Sequence, residues 1–386
     1  MIIKMSFLQE AENNWNKFLD SKISKYSYLR NYDFGPNKNS SVSKLSPYIS
    51  HRILLEYDLI KDIKNKYNSD NVNKFIEEVY WRIYWKGWLE NKPCVWDNFI
   101  SKNVDKFDDL LYEKAINGKT NLSYFNFWVE ELKENNYLHN HTRMWFASTW
   151  IFNLGLPWEL GAKLFFEHLN DGDAASNLLS WRWVAGLQTK GKKYLFSPEN
   201  LKKFSDNRFV VKHISNKDIH LKDEFEIVNN KEIFKCNFKK SSEYLLLFEN
   251  DLNQKSLKLL INQYKKAYII FLNDEDRQLK ISNKVIEFKK RLINEFSTNF
   301  KNVEVVDSLS INSKLKDIKK IDLIYPCVGD NNDFINRFKV SNNKTIKNLV
   351  RDEDLYSWQF ASKGFFRFKK DIPSINNFLF QKKRLW

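Results

Sequence analysis

The chain has 386 residues, 42% hydrophobic and 29% charged, with a formal charge of +15 at pH 7. That length suggests two domains, and no apolar run approaches the roughly 20 residues needed to cross a bilayer, which excludes a membrane protein of the helical kind. Three scattered cysteines (Cys94, Cys236, Cys327) and an early run of acidic residues exclude paired-cysteine metal sites and a secretory leader, so a cytoplasmic protein without metal is expected.

Residues 1–205 are predicted to be nearly all helix. Apolar residues recur at three- and four-residue spacing, as in Phe75-Ile76, Val79-Tyr80 and Ile83, and again from Leu122 to Leu138. Asn31 to Pro47, with Gly35-Pro36 and several Asn and Ser, is a turn-rich loop. Residues 206–243 have no clear period and are expected to be a connector. From Tyr244 the pattern changes to short apolar runs alternating with amphipathic helices. Strands are predicted at Tyr244–Phe248, Ala267–Leu272, Val303–Val306 and Ile321–Tyr325, with helices around 254–265, 281–297 and 331–338. Such alternation implies a parallel sheet covered on both faces. Residues 244–386 are therefore expected to form a smaller, Rossmann-like α/β domain with a basic, amphipathic helical tail. No GxGxxG or phosphate-binding loop is present.

The charge admits an anionic partner, nucleic acid above all, although abundant lysine also gives many proteins a solvated basic surface. Thirteen tryptophans are about twice a usual share, and eleven precede residue 184. Indoles fill helical cores well, yet their concentration in one half suggests a site built from them. Glu78, Trp81, Arg82 and Trp85 fall on one helical face. A plain boundary stripe with a Glu78–Arg82 pair would account for that face equally well. Asn140, Arg143 and Met144 share another face. In Asn170-Asp171-Gly172-Asp173 one aspartate is explained as a helix cap. Asn177, Trp181 and Trp183 are not explained that way.

Taken together, Ser43-Lys-Leu-Ser-Pro-Tyr48, Glu78-Val-Tyr-Trp-Arg82, His139-Asn140 with Arg143-Met144, and Asp171-Gly-Asp173 with Asn177 and Trp181-Arg-Trp183 resemble successive signatures of the FAD domain of the DNA photolyase and cryptochrome family. The resemblance covers about residues 25–205. It implies an all-α FAD-binding domain that here precedes the α/β domain, a permuted order, since Tyr244–Leu252 is faintly similar to the start of the family's antenna domain.

By the same resemblance Ser43, Lys44, Leu45 and Ser46 match the loop that binds the FAD diphosphate, with Tyr32 a further phosphate contact. Arg82 matches a flavin contact, Arg143 and Asp171 an ion pair beside the ring system, Asp173 an acceptor for its polar edge, and Asn177 the residue facing N5. Glu78, Trp81, Asn140, Met144 and Trp183 match the pocket for a flipped-out cyclobutane pyrimidine dimer. His141 is expected at the DNA or simply exposed. Trp181 and Trp158 match the proximal and middle members of an electron-transfer chain. The distal tryptophan is missing near Asp105, with Tyr112, Trp96 or Trp85 as substitutes.

The implied activity is light-driven repair of cyclobutane dimers in single- or double-stranded DNA by a monomer, with no residue assignable to an antenna chromophore. A cryptochrome-like light sensor that signals through a partner is the alternative. A flavin-free nucleic-acid-binding scaffold would leave Asp171, Asn177 and the serine loop without a use.

Overall fold

The computed structural model describes residues 5–36, 38, 42–230 and 240–381; Cys236 lies outside them. The helical half is organised around the helix Asn73–Asn91, which is buried continuously from Ile83 to Asn91. A helix buried all round needs neighbours on every side. The helix Glu56–Lys66 packs on one flank, Ala174–Val184 on another, and Asp352–Trp358 on a third. That last contact depends on Gly87: a Cβ there would fall 2.7 Å from the Trp358 side chain and 2.8 Å from Ala361. The helix Ala174–Val184 begins where expected, because Asp173 accepts the Ser176 amide at 2.8 Å as its cap.

Five strands form one parallel sheet: β1 (Tyr244–Phe248), β2 (Lys266–Phe271), β3 (Val303–Asp307), β4 (Lys320–Ile324) and β5 (Thr345–Leu349), in the order β3-β2-β1-β4-β5. Four of these match the predicted strands to within a residue or so. The fifth was not predicted, because Thr345-Ile-Lys-Asn-Leu349 is a polar edge strand with no apolar run. Alternation along β1 sends its side chains to two cores. Leu246 and Phe248 join Phe334 and Phe338 in a small core, while Leu245 and Leu247 join the main core that continues into the helical half.

The chain between the halves has no regular element in residues 206–230. It is tied to the helical body by the Arg182–Asp223 pair, 2.7 Å on both prongs, and by the Lys217 amide donating to the Phe152 carbonyl. The C-terminal helices, grouped with the sheet in the sequence reading, lie in space against the helical half. Asn91 and Lys92 donate to the carbonyls of Trp358 and Ser362, and the Tyr84 hydroxyl donates to that of Lys363. A buried ionic chain locks the two halves: Arg52 grips Asp354 at 2.6 and 2.8 Å, and Arg351 grips Asp251 at 2.7 and 3.0 Å. Among the described residues no helix is long and apolar enough to cross a membrane.

Candidate functional site

The helical half encloses a cavity of about 500 Å³, within the range of cofactor pockets. Ser43, Lys44, Leu45 and Ser46 line it from the loop, Glu78, Trp81 and Arg82 from the central helix, Asn140, Arg143 and Met144 from the helix Asn140–Ser148, and Asp171, Asn177, Trp181 and Trp183 from the last helical layer. Lys44 adopts a left-handed backbone, φ 55°, a conformation that costs a non-glycine residue and recurs in ligand-gripping loops.

The lining is graded by depth. Leu45, Asp171, Asn177 and Trp181 are buried, Glu78, Trp81, Met144 and Trp183 are half-buried, and Asn140 is exposed at the rim. The half-buried Arg143 pairs with the deep Asp171 at 2.8 Å and is steadied by the Leu138 carbonyl. Asn177 spends an amide hydrogen on the Ala162 carbonyl at 3.0 Å, which orients its side chain. Asp171 Oδ1 and Trp181 Nε1 are buried without a hydrogen-bond partner. An orphan acceptor and an orphan donor on one cavity wall fit a ligand that carries both kinds of group.

Arg82 is held rather than free: it donates to Asp173 at 2.6 Å and to Ser176 at 3.1 Å, and its Nε lies 3.4 Å from Glu56. Burial works against the charge of Asp173, but Arg82 and Lys86 outweigh it and keep its carboxyl below the ordinary range. Glu56 is the buried anion that sequence reasoning missed. Desolvation opposes its charge, yet Lys86, Arg52 and Arg82 pull its pKa down to about 2. Nothing in Leu55-Glu-Tyr-Asp58 separates Glu56 from an ordinary first-turn acid. Arg30, also unforeseen, reaches Glu78 at 3.5 Å beside Lys74 at 3.0 Å.

Four expected residues do not line this cavity. Tyr32 stacks on Phe34 at 5.8 Å and meets Phe204 edge-on. Asp173 borders a smaller crevice towards the sheet. His141, expected at the DNA, is buried, with Nδ1 against the Asn31 carbonyl at 2.8 Å and Nε2 against the Tyr194 hydroxyl at 3.1 Å. Both nitrogens are thus used inside the fold, and a structural role replaces the DNA contact. Trp158 stacks on Phe99 at 5.7 Å. The indole that meets Trp181 is instead Trp150, 6.4 Å away edge-on, and Tyr112 follows at 6.0 Å and is half-exposed. Gly161 lets Trp181 settle there, since a Cβ at that position would lie 2.3 Å from the indole.

An all-helical body around a charged, indole-lined cavity, joined to a doubly wound sheet, has the build of a cofactor-binding protein. Residues 75–241 match the model of the FAD binding domain of DNA photolyase. The chain is 30% identical over 204 residues to a deoxyribodipyrimidine photo-lyase of Neurospora crassa, covering 49% of this chain and 32% of that one. It is 26% identical over 254 residues to that of Buchnera aphidicola, covering 58% and 50%. A class III photolyase structure from Agrobacterium tumefaciens aligns at 23% identity and TM-score 0.43, covering 53% of this chain and 44% of that one. The chain spans a third to a half of the length of these curated relatives. Its helical half thus resembles the DNA photolyase and cryptochrome family, and the part that matches the family model is an FAD-binding domain.

Proposed function

We propose that the protein repairs cyclobutane pyrimidine dimers in DNA under blue light. The observation that carries this reading is that a single cavity is lined both by the residues matched to the cofactor (the serine loop, Arg143–Asp171, Asn177) and by those matched to the dimer (Glu78, Trp81, Asn140, Met144, Trp183). Ser43 to Ser46 would hold the diphosphate, Arg82 and the Arg143–Asp171 pair the ring system, and Asn177 its N5 edge. FAD held there in its reduced form would supply light-driven one-electron chemistry for opening the cyclobutane ring, with no net redox change. The chain itself binds, orients and dries the site. Trp81 and Trp183 offer indole faces to an extruded dimer. Asn140 and Glu78 reach its polar edges, and Glu78 is kept close by Arg30 and Lys74. Met144 fills the space between.

The test is blue-light recovery of thymine absorbance in a UV-irradiated oligothymidine strand, with chemically reduced protein. Glu78→Ala should retain flavin and repair with a lower yield. Recovery that needs light supports the reading. Flavin-loaded protein that gives no recovery would overturn it and favour a family member that senses light through a partner.

A further inference from the structure

The first turns of the C-terminal helix Phe365–Gln381 adjoin the rim of the cavity although they come from the far end of the chain. Phe365 lies flat on Trp81, ring centroids 3.6 Å apart and planes within 11°. One face of that indole is therefore covered by the chain itself. The segment is held in place by the Tyr84 hydroxyl on the Lys363 carbonyl and by Lys92 on the Ser362 carbonyl. Gln188 approaches the same Tyr84 hydroxyl, which brings the turn after Trp183 alongside.

What these two segments present outward is basic and aromatic. Phe366 is 79% exposed. On a helix it shares its face with Lys370, four residues on, while Arg367, also exposed, lies about 100° round the helix. Lys363, just before the helix, is exposed too, as are Lys190 and Lys192 in the neighbouring turn. No acid of the described residues pairs with any of these five cations, whereas the exposed Lys369 is taken up by Glu77 at 2.6 Å. A solvated lysine face would account for the charge, but not for a bare phenylalanine set among cations next to an indole-lined opening. Cations that track a backbone, with an aromatic ring between them, are how proteins grip single-stranded nucleic acid.

We infer that the start of the C-terminal helix, with the turn 189–192, is a nucleic-acid lip of the site, where Lys363, Arg367 and Lys370 contact the phosphates of the strand beside the lesion and Phe366 stacks on a neighbouring base. The nature of the strand rests on the repair reading; the lip does not.

The experiment measures binding of a plain oligothymidine strand against salt concentration, with the flavin-loaded full chain. The triple variant Lys363→Gln, Arg367→Gln, Lys370→Gln should lower the salt slope by about 2, at about 0.7 per phosphate contact. A matched triple in the sheet half, Lys301→Gln, Lys316→Gln, Lys319→Gln, should leave it unchanged. Phe366→Ala should weaken binding about fivefold at an unaltered slope. Flavin content and repair yield at saturating DNA should stay at wild-type values in the lip triple. An unchanged slope in the lip triple, or an equal fall in the control, overturns the inference whatever happens to repair. Loss of lesion repair in the wild type with the slope difference intact would remove the repair reading and leave the lip standing.

Discussion

The two halves of the molecule treat buried charge in opposite ways. In the helical half charged groups line a void of about 500 Å³ and leave polar atoms such as Asp171 Oδ1 unmatched. The crevice at the ends of β1 and β4, where the sheet faces the helical half, is the place where doubly wound sheets usually take ligands. Here it holds only about 110 Å³, room for a few waters rather than a pigment. Its acids are engaged by the protein itself: Lys289 bonds Glu249 at 3.0 Å, and Glu90 accepts the Tyr325 hydroxyl and the Val328 amide, both at 2.8 Å. A fold's customary binding place is therefore no guide to its use. What marks a site is charge arranged around space, and by that measure the sheet is scaffold.

The widest separation between the halves should come from removing one anion in each. Glu249→Ala leaves the half-buried Lys289 without its partner, which should lower stability by up to about 3 kcal/mol and leave the flavin content of the folded protein intact. Asp171→Ala should do the reverse: Arg143 keeps its bond to the Leu138 carbonyl, so folding suffers less while bound flavin is lost. Denaturant unfolding and the flavin absorbance of the same preparations read both effects. Flavin loss in Glu249→Ala at full folding would make the sheet part of the site.

Much of the cavity was legible because its residues are local in sequence. The Glu78–Trp81–Arg82 stripe follows from helical spacing, and Asp173 is a helix cap by its position alone. Contacts made across the chain were not legible. Nothing near Trp81 announces that Phe365 will cover it, and the polar edge strand Thr345–Leu349 carries no pattern to read. Trp150 was missed for a geometric reason. It lies in a π-helical stretch, Thr149–Leu154, where the wider turn rotates side chains away from the places an α-helical count assigns them.

That rotation gives a sharper test within the helical half. If electrons reach the flavin through rings in contact, Trp150→Phe should slow photoreduction at least about tenfold, as a barrier about 1.4 kcal/mol higher would. Trp158→Phe, which alters a ring stacked on Phe99, should change it less. Repair by chemically reduced protein should be spared in both. The opposite ranking would restore Trp158 as the donor to Trp181 and reduce the Trp150–Tyr112 line to packing.

The smallest effect separates the two cavities by the sign of their response to pH. Glu90, on the central helix where it faces the sheet crevice, is pushed up to about 7, chiefly by burial and in part by Asp354, against the bonds from Val328, Tyr325 and Cys327. Its folded form holds a proton that the unfolded chain gives up near the usual carboxylate value, so its contribution is complete in acid and fades as pH rises towards 7. Each pH unit in that window removes at most about 1.4 kcal/mol. Glu56, in the helical cavity, is held at about 2 by Lys86, Arg52 and Arg82 against the cost of burial. Its contribution is complete above the usual carboxylate value and fades as pH falls towards 2. Denaturant unfolding across this range should therefore show Glu90→Gln flattening the limb near neutrality and Glu56→Gln flattening the acid limb. Were Glu90→Gln to leave the neutral limb unchanged, Glu90 would be charged in the fold, and the sheet crevice would hold an anion that Val328, Tyr325 and Cys327 alone must stabilise.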